Sequence, residues 1–246
     1  MNKVLKKRLD LLVFEKGLCE SRQRAQALIM AGKVFVNDEM IDKPGVKVFE
    51  HAHIDLRTSD LPYVSRGALK LENALKILEI DIHNDVCLDV GASTGGFTDC
   101  LLQFGAAKVY AVDVGYGQLA WKLRQDPRVV AIERTNIRHM PEDIIVEPID
   151  LTTIDTSFIS LKIVVPSILK FLKEKARILA LIKPQFEVGK GNVGKGGVVR
   201  DPLLHDHVIQ DLSDFFSGLG LEKEAVIPSP ILGPKGNKEF IISLKY

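Results

Sequence analysis

Short apolar runs alternate with amphipathic segments along most of the chain after residue 65. The runs are rich in Val, Ile and Leu, and they lie at 86–90, 108–112, 129–132, 151–154 and 177–182. Segments between them repeat apolar residues at helical spacing. This alternation predicts buried parallel strands joined by helices. The pattern therefore indicates an α/β fold with a Rossmann-like, doubly wound sheet.

The start of the chain has a different pattern. Apolar residues at helical spacing predict two helices before Gly32, and alternating residues at 33–56 predict short strands separated by turns. Residues 1–57 therefore form a predicted small α+β domain. Residues 58–64 lack periodicity and are interpreted as a linker, which leaves 65–246 as the larger domain.

Composition excludes several classes of protein. The 246 residues are 46% hydrophobic and 26% charged, as in ordinary soluble domains. No apolar run approaches the roughly 18 residues of a membrane helix, and the first residues lack an apolar signal core, so a cytoplasmic protein is expected. The three cysteines have no metal-binding spacing and are interpreted as reduced, structural thiols.

Charge is distributed unevenly although the net charge is only +1. Residues 1–57 contain eleven Lys and Arg against eight Asp and Glu. This surplus favours an anionic partner for the small domain if the basic residues share a face. The pairs His51/His53 and His205/His207 are interpreted as surface histidines, and no metal is expected.

A glycine-rich loop is predicted between the strand at 86–90 and a helix at 97–104. Glycines allow backbone N–H groups to approach a ligand at the positive start of a helix. The spacing differs from G-x-G-x-x-G, which argues against a dinucleotide. The loop resembles that of methyltransferases that bind S-adenosylmethionine (SAM), with a glycine turn of an ordinary α/β protein as the alternative. This resemblance implies cofactor contacts from Asp89, Gly91, Ser93, Thr94, Gly95, Gly96 and Phe97.

Polar residues at the ends of the next strands add to this site. Asp113 follows the second strand about twenty residues after the loop, where an acid can accept hydrogen bonds from ribose hydroxyls. Asn136 follows the third strand and is a candidate for the adenine edge, although a turn-forming Asn is an equal alternative.

Two lysines and two acids are candidates for catalysis: Lys70, Asp155, Lys183 and Glu239. Asp155 and Lys183 each end a strand at the same edge of the sheet, so we expect them to meet there. A lysine can remove the proton of a ribose hydroxyl or stabilise the developing alkoxide, and neighbouring acids would orient it. Ordinary surface ion pairs are the alternative for each residue taken alone.

The first fifty residues resemble the RNA-binding module first named for ribosomal protein S-four. The resemblance rests on Arg8-Leu9-Asp10, on Ser21-Arg22-x-x-Ala25-x-x-Leu28-Ile29-x-x-Gly32-x-Val34-x-Val36-Asn37, and on Lys43-Pro44. It implies contacts with the phosphates of structured RNA. The implied RNA-binding residues are Lys6, Lys7, Arg8, Arg22, Arg24 and Lys33, with Arg66 of the larger domain as a further contact.

Six ordered motifs across the larger domain resemble the TlyA family. They are Ser65-Arg66-Gly67-x-x-Lys70-Leu71, Asp89-Val90-Gly91-x-Ser93-Thr94-Gly95-Gly96-Phe97-Thr98-Asp99, Asp155-x-Ser157-Phe158-Ile159-Ser160-Leu161, Lys183-Pro184-Gln185-Phe186-Glu187, Gly194-Lys195-Gly196-Gly197-Val198-Val199-Arg200-Asp201-Pro202 and Gly236-Asn237-x-Glu239-Phe240. The resemblance implies an FtsJ-like domain that 2′-O-methylates cytidine in ribosomal RNA with SAM, on RNA or ribosomal subunits. It also implies that the four candidate residues form the catalytic tetrad, with Lys183 nearest the chemistry.

Two alternatives differ in class from this enzyme. Members of the family have been labelled haemolysins, which would make the protein membrane-active, but the sequence has no spanning segment or strongly amphipathic cationic segment. The other alternative is an inactive SAM-binding protein that docks on RNA. One departure from the family pattern is Leu61-Pro62-Tyr63-Val64, where the family often has Arg-x-Trp-Val.

Overall fold

A computed structural model describes residues 6–37, 39–56, 62–189, 191–194 and 196–246. The chain divides into two compact units, Met1–Pro62 and Tyr63–Tyr246. Each unit has its own apolar core. The units are therefore described separately.

The N-terminal unit combines two helices with two small sheets. Its elements are β1 (Lys6–Arg8), α1 (Leu9–Glu15), α2 (Arg22–Met30), β2 (Val34–Val36), β3 (Glu39–Met40), β4 (Lys47–Phe49) and β5 (Ile54–Leu56). Strand β1 pairs with β4, and β2 lies between β3 and β5, with all pairs antiparallel. Ser21 caps α2 by accepting a hydrogen bond from the Arg24 amide.

Asp10 is the polar centre of this unit. Its carboxylate has no accessible surface and accepts hydrogen bonds from the side chains of Arg8, Arg22 and Gln26 and from the Leu11 amide. The Arg8 guanidinium is the main cause of a pKa of Asp10 well below its usual range. A buried carboxylate thus fixes two arginines whose side chains remain nearly half exposed.

The larger unit is built on a seven-stranded sheet. Its strands are β6 (Val86–Val90), β7 (Lys108–Val112), β8 (Val129–Ile132), β9 (Ile149–Ile154), β10 (Leu172–Ile182), β11 (Glu222–Pro228) and β12 (Phe240–Lys245). The spatial order is β11-β12-β10-β9-β6-β7-β8. The five strands from β10 to β8 are parallel, whereas β12 is antiparallel to both of its neighbours, β10 and β11. This arrangement confirms the predicted Rossmann-like sheet.

Helices cover both faces of this sheet. They are α3 (Ala68–Ile77), α4 (Gly96–Gln103), α5 (Trp121–Arg124), α6 (Leu161–Ile168), α7 (Pro184–Glu187) and α8 (Pro202–Gly218). Neighbouring strand residues point to opposite faces, so Leu88 packs in the core with α6 and α8, and Cys87 packs in the core with α3 and α4. The result is a three-layer α/β/α unit.

Some expectations from the sequence need correction. His205, expected at the surface, is buried, and its Nε2 lies 2.9 Å from the Val199 carbonyl oxygen. A helical turn after Pro202 places this ring inward against Phe240. Within the interpreted linker 58–64, residues 58–61 lie outside the described residues. Tyr63 is buried in the larger unit, and burial raises the pKa of its hydroxyl.

We expect Asp10→Asn to loosen the N-terminal unit at neutral pH. Since folding lowers the pKa of Asp10, the stability contributed by its charge is complete above the ordinary aspartate pKa of about 3.9 and is lost as the pH falls through the lower folded-state value. Hydrogen exchange of the α1 amides in the full chain should therefore be faster in the variant at pH 7, with a difference that shrinks below about pH 4. Asp42→Asn, at an exposed acid, is the control. Equal exchange in wild type and Asp10→Asn at pH 7 would contradict the structural role of Asp10.

Candidate functional site

The glycine-rich loop lies at the carboxyl edge of the sheet and packs against the end of β9. Gly91 has a φ of +86°, and a Cβ at this position would lie 2.7 Å from the Asp155 carbonyl oxygen. Only glycine combines this conformation with so close an approach. The Gly91 amide donates to the Val112 carbonyl of β7, and the Asp113 amide donates to the Ile132 carbonyl of β8. The loop is therefore held directly beside Asp155.

Helix α4 begins at the end of this loop. Gly95 precedes the helix with a φ of +94°, and a Cβ there would collide with Leu123 and Leu119 of the segment around α5. Gly95 therefore shapes the loop from behind and does not line the cavity. The residues of the loop that face the cavity are Gly91, Ala92, Ser93, Thr94, Gly96 and Phe97. The first amides of α4 lie at this positive helix end.

Asp89 lies behind the loop, in contrast to the predicted cofactor contact. Its side chain has no accessible surface and accepts hydrogen bonds from the hydroxyls of Thr98, at 2.6 Å, and Thr153, at 3.1 Å. Burial raises the pKa of Asp89 to about 6, although both hydroxyls oppose this shift. The carboxylate thus connects β6, α4 and β9 beneath the loop. Register explains the inward position, because Asp89 pairs with Thr153 across parallel strands.

Asp113 joins the loop to the second strand of the site. One carboxylate oxygen accepts from the Ser93 amide at 2.8 Å, and the other accepts from the Gly115 amide at 2.6 Å. Each oxygen keeps further acceptor capacity. Asp113 and Asn136 both line a cavity of about 560 Å³, and Asn136 also accepts from the Arg138 amide. The predicted pair of polar residues therefore faces one cleft.

The four candidate catalytic residues meet in an adjoining cavity of about 270 Å³. They form two ion pairs, with Lys70 Nζ 2.6 Å from Glu239 Oε2 and Lys183 Nζ 2.5 Å from Asp155 Oδ1. Both lysines and Glu239 are buried. Buried charges of this kind must be paired, and the two pairs satisfy that requirement.

Sheet topology explains how distant residues reach this cavity. Asp155 and Lys183 directly follow β9 and β10, which are parallel neighbours. Glu239 directly precedes β12, which is antiparallel to β10, and Phe240 pairs with Ile182. Lys70 reaches the cavity from the first turns of α3. Arg66, predicted to contact RNA, is exposed and lines the same cavity.

A third cavity of about 420 Å³ continues from Lys183 and is mainly apolar. Its lining includes Phe158 and Phe186, whose ring centroids are 5.0 Å apart. Phe158 is 90% exposed and has a φ of +65°, an unfavourable conformation for this residue. An exposed aromatic ring held in a strained backbone beside a buried lysine is typical of a ligand-binding surface.

The predicted RNA-binding residues of the N-terminal unit differ in their surroundings. Lys7 lies 2.9 Å from both Glu15 and Glu50, so its charge is already compensated. Lys6 lies over the Phe49 ring, 4.5 Å from its centroid. Arg8 and Arg22 are fixed by Asp10, as described above. Arg24 is exposed and Lys33 is half-buried.

Sequence reasoning did not assign a role to Ser157, Thr98 or Thr153. Ser157 Oγ accepts a hydrogen bond from Lys183 Nζ at 2.9 Å. Its position two residues after Asp155, just past the end of a strand, is the signal that could have identified it. The two threonines have no comparable signal, because their contact with Asp89 depends on strand register.

Two family models match the chain. Residues 63–246 match the model described as FtsJ-like methyltransferase, and residues 7–54 match the S4 domain. The candidate rRNA methyltransferase YqxC of Bacillus subtilis is 47% identical, over 98% of this chain and 86% of YqxC. The 16S/23S rRNA (cytidine-2′-O)-methyltransferase TlyA of Mycobacterium tuberculosis is 46% identical, over 97% of this chain and 89% of TlyA.

A solved structure is also similar to this chain. A candidate hemolysin from Streptococcus thermophilus has a TM-score of 0.77 and 41% identity, over 99% of this chain and 89% of its own. Within the residues that the structure describes here, no helix is both long and apolar enough to cross a membrane.

We expect Gly91→Ala to destabilise the protein more than a substitution that only strains the backbone. Gly220 also has a positive φ, but its Cβ direction is open, so Gly220→Ala is the matched control. That control should cost about 1 kcal/mol of backbone strain. Gly91→Ala must also displace the Asp155 carbonyl, so thermal unfolding should show a Tm several degrees lower than that of the control, at about 2–4 °C per kcal/mol. Equal Tm values would show that the loop does not rest on Asp155.

Proposed function

Because this chain belongs to the FtsJ-like methyltransferase family, and its nearly full-length relatives include TlyA, we propose that it transfers a methyl group from SAM to the 2′-oxygen of cytidine in ribosomal RNA. The observation that carries this proposal is the pair of buried lysine–carboxylate contacts around one cavity beside the glycine-rich loop. Such a site suits a reaction in which a hydroxyl loses a proton.

The loop and the neighbouring cleft fit SAM. Gly91 and Gly96 line the cavity with their backbone, and the amides at the start of α4 can bind a carboxylate. Asp113 has acceptor capacity for ribose hydroxyls, and Asn136 lies in the same cleft for the adenine edge. Asp89 supports the loop from beneath and makes no contact with the cofactor in this proposal.

SAM supplies a methyl group on a positively charged sulfur, so a C–O bond forms while a C–S bond breaks and its electron pair stays on sulfur. The protein must accommodate the proton of the 2′-hydroxyl. In this proposal the amine form of Lys183 accepts the proton, and the resulting ammonium forms the ion pair with Asp155. The Lys70 ammonium, which is paired with Glu239, lies on the same cavity and can donate a hydrogen bond to the developing oxyanion.

Two surfaces suit the RNA substrate. The exposed Phe158 ring beside Lys183 offers a stacking face for the base of the target nucleotide. Arg8 and Arg22, fixed by Asp10, present two guanidinium groups for the phosphates of folded RNA. The S4 domain match supports this role for the N-terminal unit.

Lys183→Ala should abolish most methyl transfer while SAM binding persists. The assay transfers labelled methyl from SAM to separated ribosomal subunits of an unmodified strain, and nuclease digestion identifies 2′-O-methylcytidine. The rate should fall about 10²- to 10⁴-fold, because the proton acceptor is lost. SAM affinity, measured by calorimetry, should change little. Lys223→Ala, at an exposed lysine of β11, is the control.

Other outcomes of this assay would each be informative. Full activity of Lys183→Ala would remove Lys183 from the mechanism. Binding of SAM by wild type without labelling of either subunit or of free ribosomal RNA would favour a protein that only docks on RNA. Leakage of liposomes caused by purified protein would instead favour a membrane-active function.

Arg24→Gln should weaken binding to ribosomal RNA more than Lys7→Gln. Arg24 is exposed at the start of α2, whereas two glutamates already compensate Lys7. Binding measured between about 50 and 200 mM salt should become several-fold weaker for Arg24→Gln, and the slope of log K against log salt should fall by about one. Lys7→Gln should leave both values near wild type. Equal effects of the two variants would show that only the net charge of the unit matters.

A further inference from the structure

Ser157 lies where the three cavities of the site meet. It lines the cavity of the two ion pairs, the cleft of Asp113 and the apolar cavity of Phe158. Its hydroxyl oxygen accepts a hydrogen bond from Lys183 Nζ at 2.9 Å, while Asp155 Oδ1 lies 2.5 Å from the same nitrogen. Lys183 is therefore held by two acceptors that come from one short segment after β9.

The number of bonds available to Lys183 makes this second contact important. A neutral lysine amine has two N–H groups and one lone pair, whereas an ammonium has three N–H groups. Asp155 and Ser157 together accept two N–H groups. The remaining valence is a single lone pair in the neutral amine or a single N–H in the ammonium, and its direction is fixed by the other two.

With Asp155 alone, the lone pair of a neutral amine would have two positions open to it. One hydrogen bond fixes the rotation about the Cε–Nζ bond but lets the second N–H and the lone pair exchange places. A second acceptor that takes the second N–H leaves the lone pair a single direction. We propose that Ser157 is a positioning residue that orients the free valence of Lys183 toward the 2′-oxygen of the substrate. This inference rests on the proposed methyl transfer and refines the role of Lys183 in it.

The anchoring of the Ser157 segment supports this role. Glu187 of α7 accepts hydrogen bonds from the Ser160 hydroxyl at 2.6 Å and from the Leu161 amide at 2.9 Å. It thereby ties the end of this segment to the short helix that follows Lys183. The contact thus links the chain shortly after Ser157 to the chain shortly after Lys183, which limits the relative movement of these two residues.

A double-mutant cycle on the full chain tests the proposal. Ser157→Ala should lower kcat roughly 10- to 100-fold and leave the KM for SAM within about twofold, because Ser157 acts on orientation and not on cofactor binding. In single-turnover reactions, adding Ser157→Ala to Lys183→Ala should cause no further loss, since the group that Ser157 orients is already gone.

Two further variants complete the experiment. Ser157→Thr retains the hydroxyl and should recover most of the activity. Ser167→Ala, at a serine of α6 whose hydroxyl donates to the Ile163 carbonyl of the same helix, should match wild type. Thermal unfolding of every variant verifies folding. If the falls in rate caused by Ser157→Ala and Lys183→Ala multiply in the double mutant, the positioning role is overturned while the proposed function stays intact. A wild-type kcat for Ser157→Ala would have the same consequence. Failure of wild type to label either subunit or free ribosomal RNA would instead overturn the proposed function itself.

Discussion

The structure of the site depends on the cost of burying lysine side chains. Moving an ammonium out of water costs several kcal/mol of solvation free energy, and a carboxylate partner offsets this cost. Here both buried lysines have such a partner, and the two pairs face a single cavity. The four residues come from α3, from the ends of β9 and β10 and from the start of β12. Each buried lysine needs its carboxylate partner. The sheet must therefore bring these segments together for the unit to be stable.

The glycine-rich loop is coupled to the same arrangement. Gly91 rests on the Asp155 carbonyl, and Asp89 reaches under the loop to Thr98 and Thr153. A movement of the loop would therefore move β9, and with it the carboxylate that holds Lys183. Cofactor site and proton-accepting site share one framework, which favours a fixed distance between a bound methyl donor and Lys183.

The sequence was informative wherever function follows from local pattern. The parallel sheet, the loop after β6 and the TlyA family resemblance are confirmed. Contacts between distant residues could not be predicted in the same way. Lys70 and Glu239 are separated by 169 positions, and no local pattern assigns them to one pair. The inward position of Asp89 likewise depends on its register with Thr153, which the sequence of β6 does not contain.

A buried carboxylate organises cationic side chains in both units, with different consequences. In the N-terminal unit, Asp10 holds two arginines that stay nearly half exposed, so the cluster keeps a net positive charge toward solvent. That surplus suits phosphates, which need charge and orientation but no proton transfer. In the larger unit each acid meets a single lysine, so the charges balance and little net field remains. Reactivity there depends on the direction of one lysine valence, which is why a neutral hydroxyl such as that of Ser157 matters beside Asp155. A buried carboxylate therefore suits phosphate binding where it holds more than one cation, and it suits proton transfer where it is matched to a single lysine.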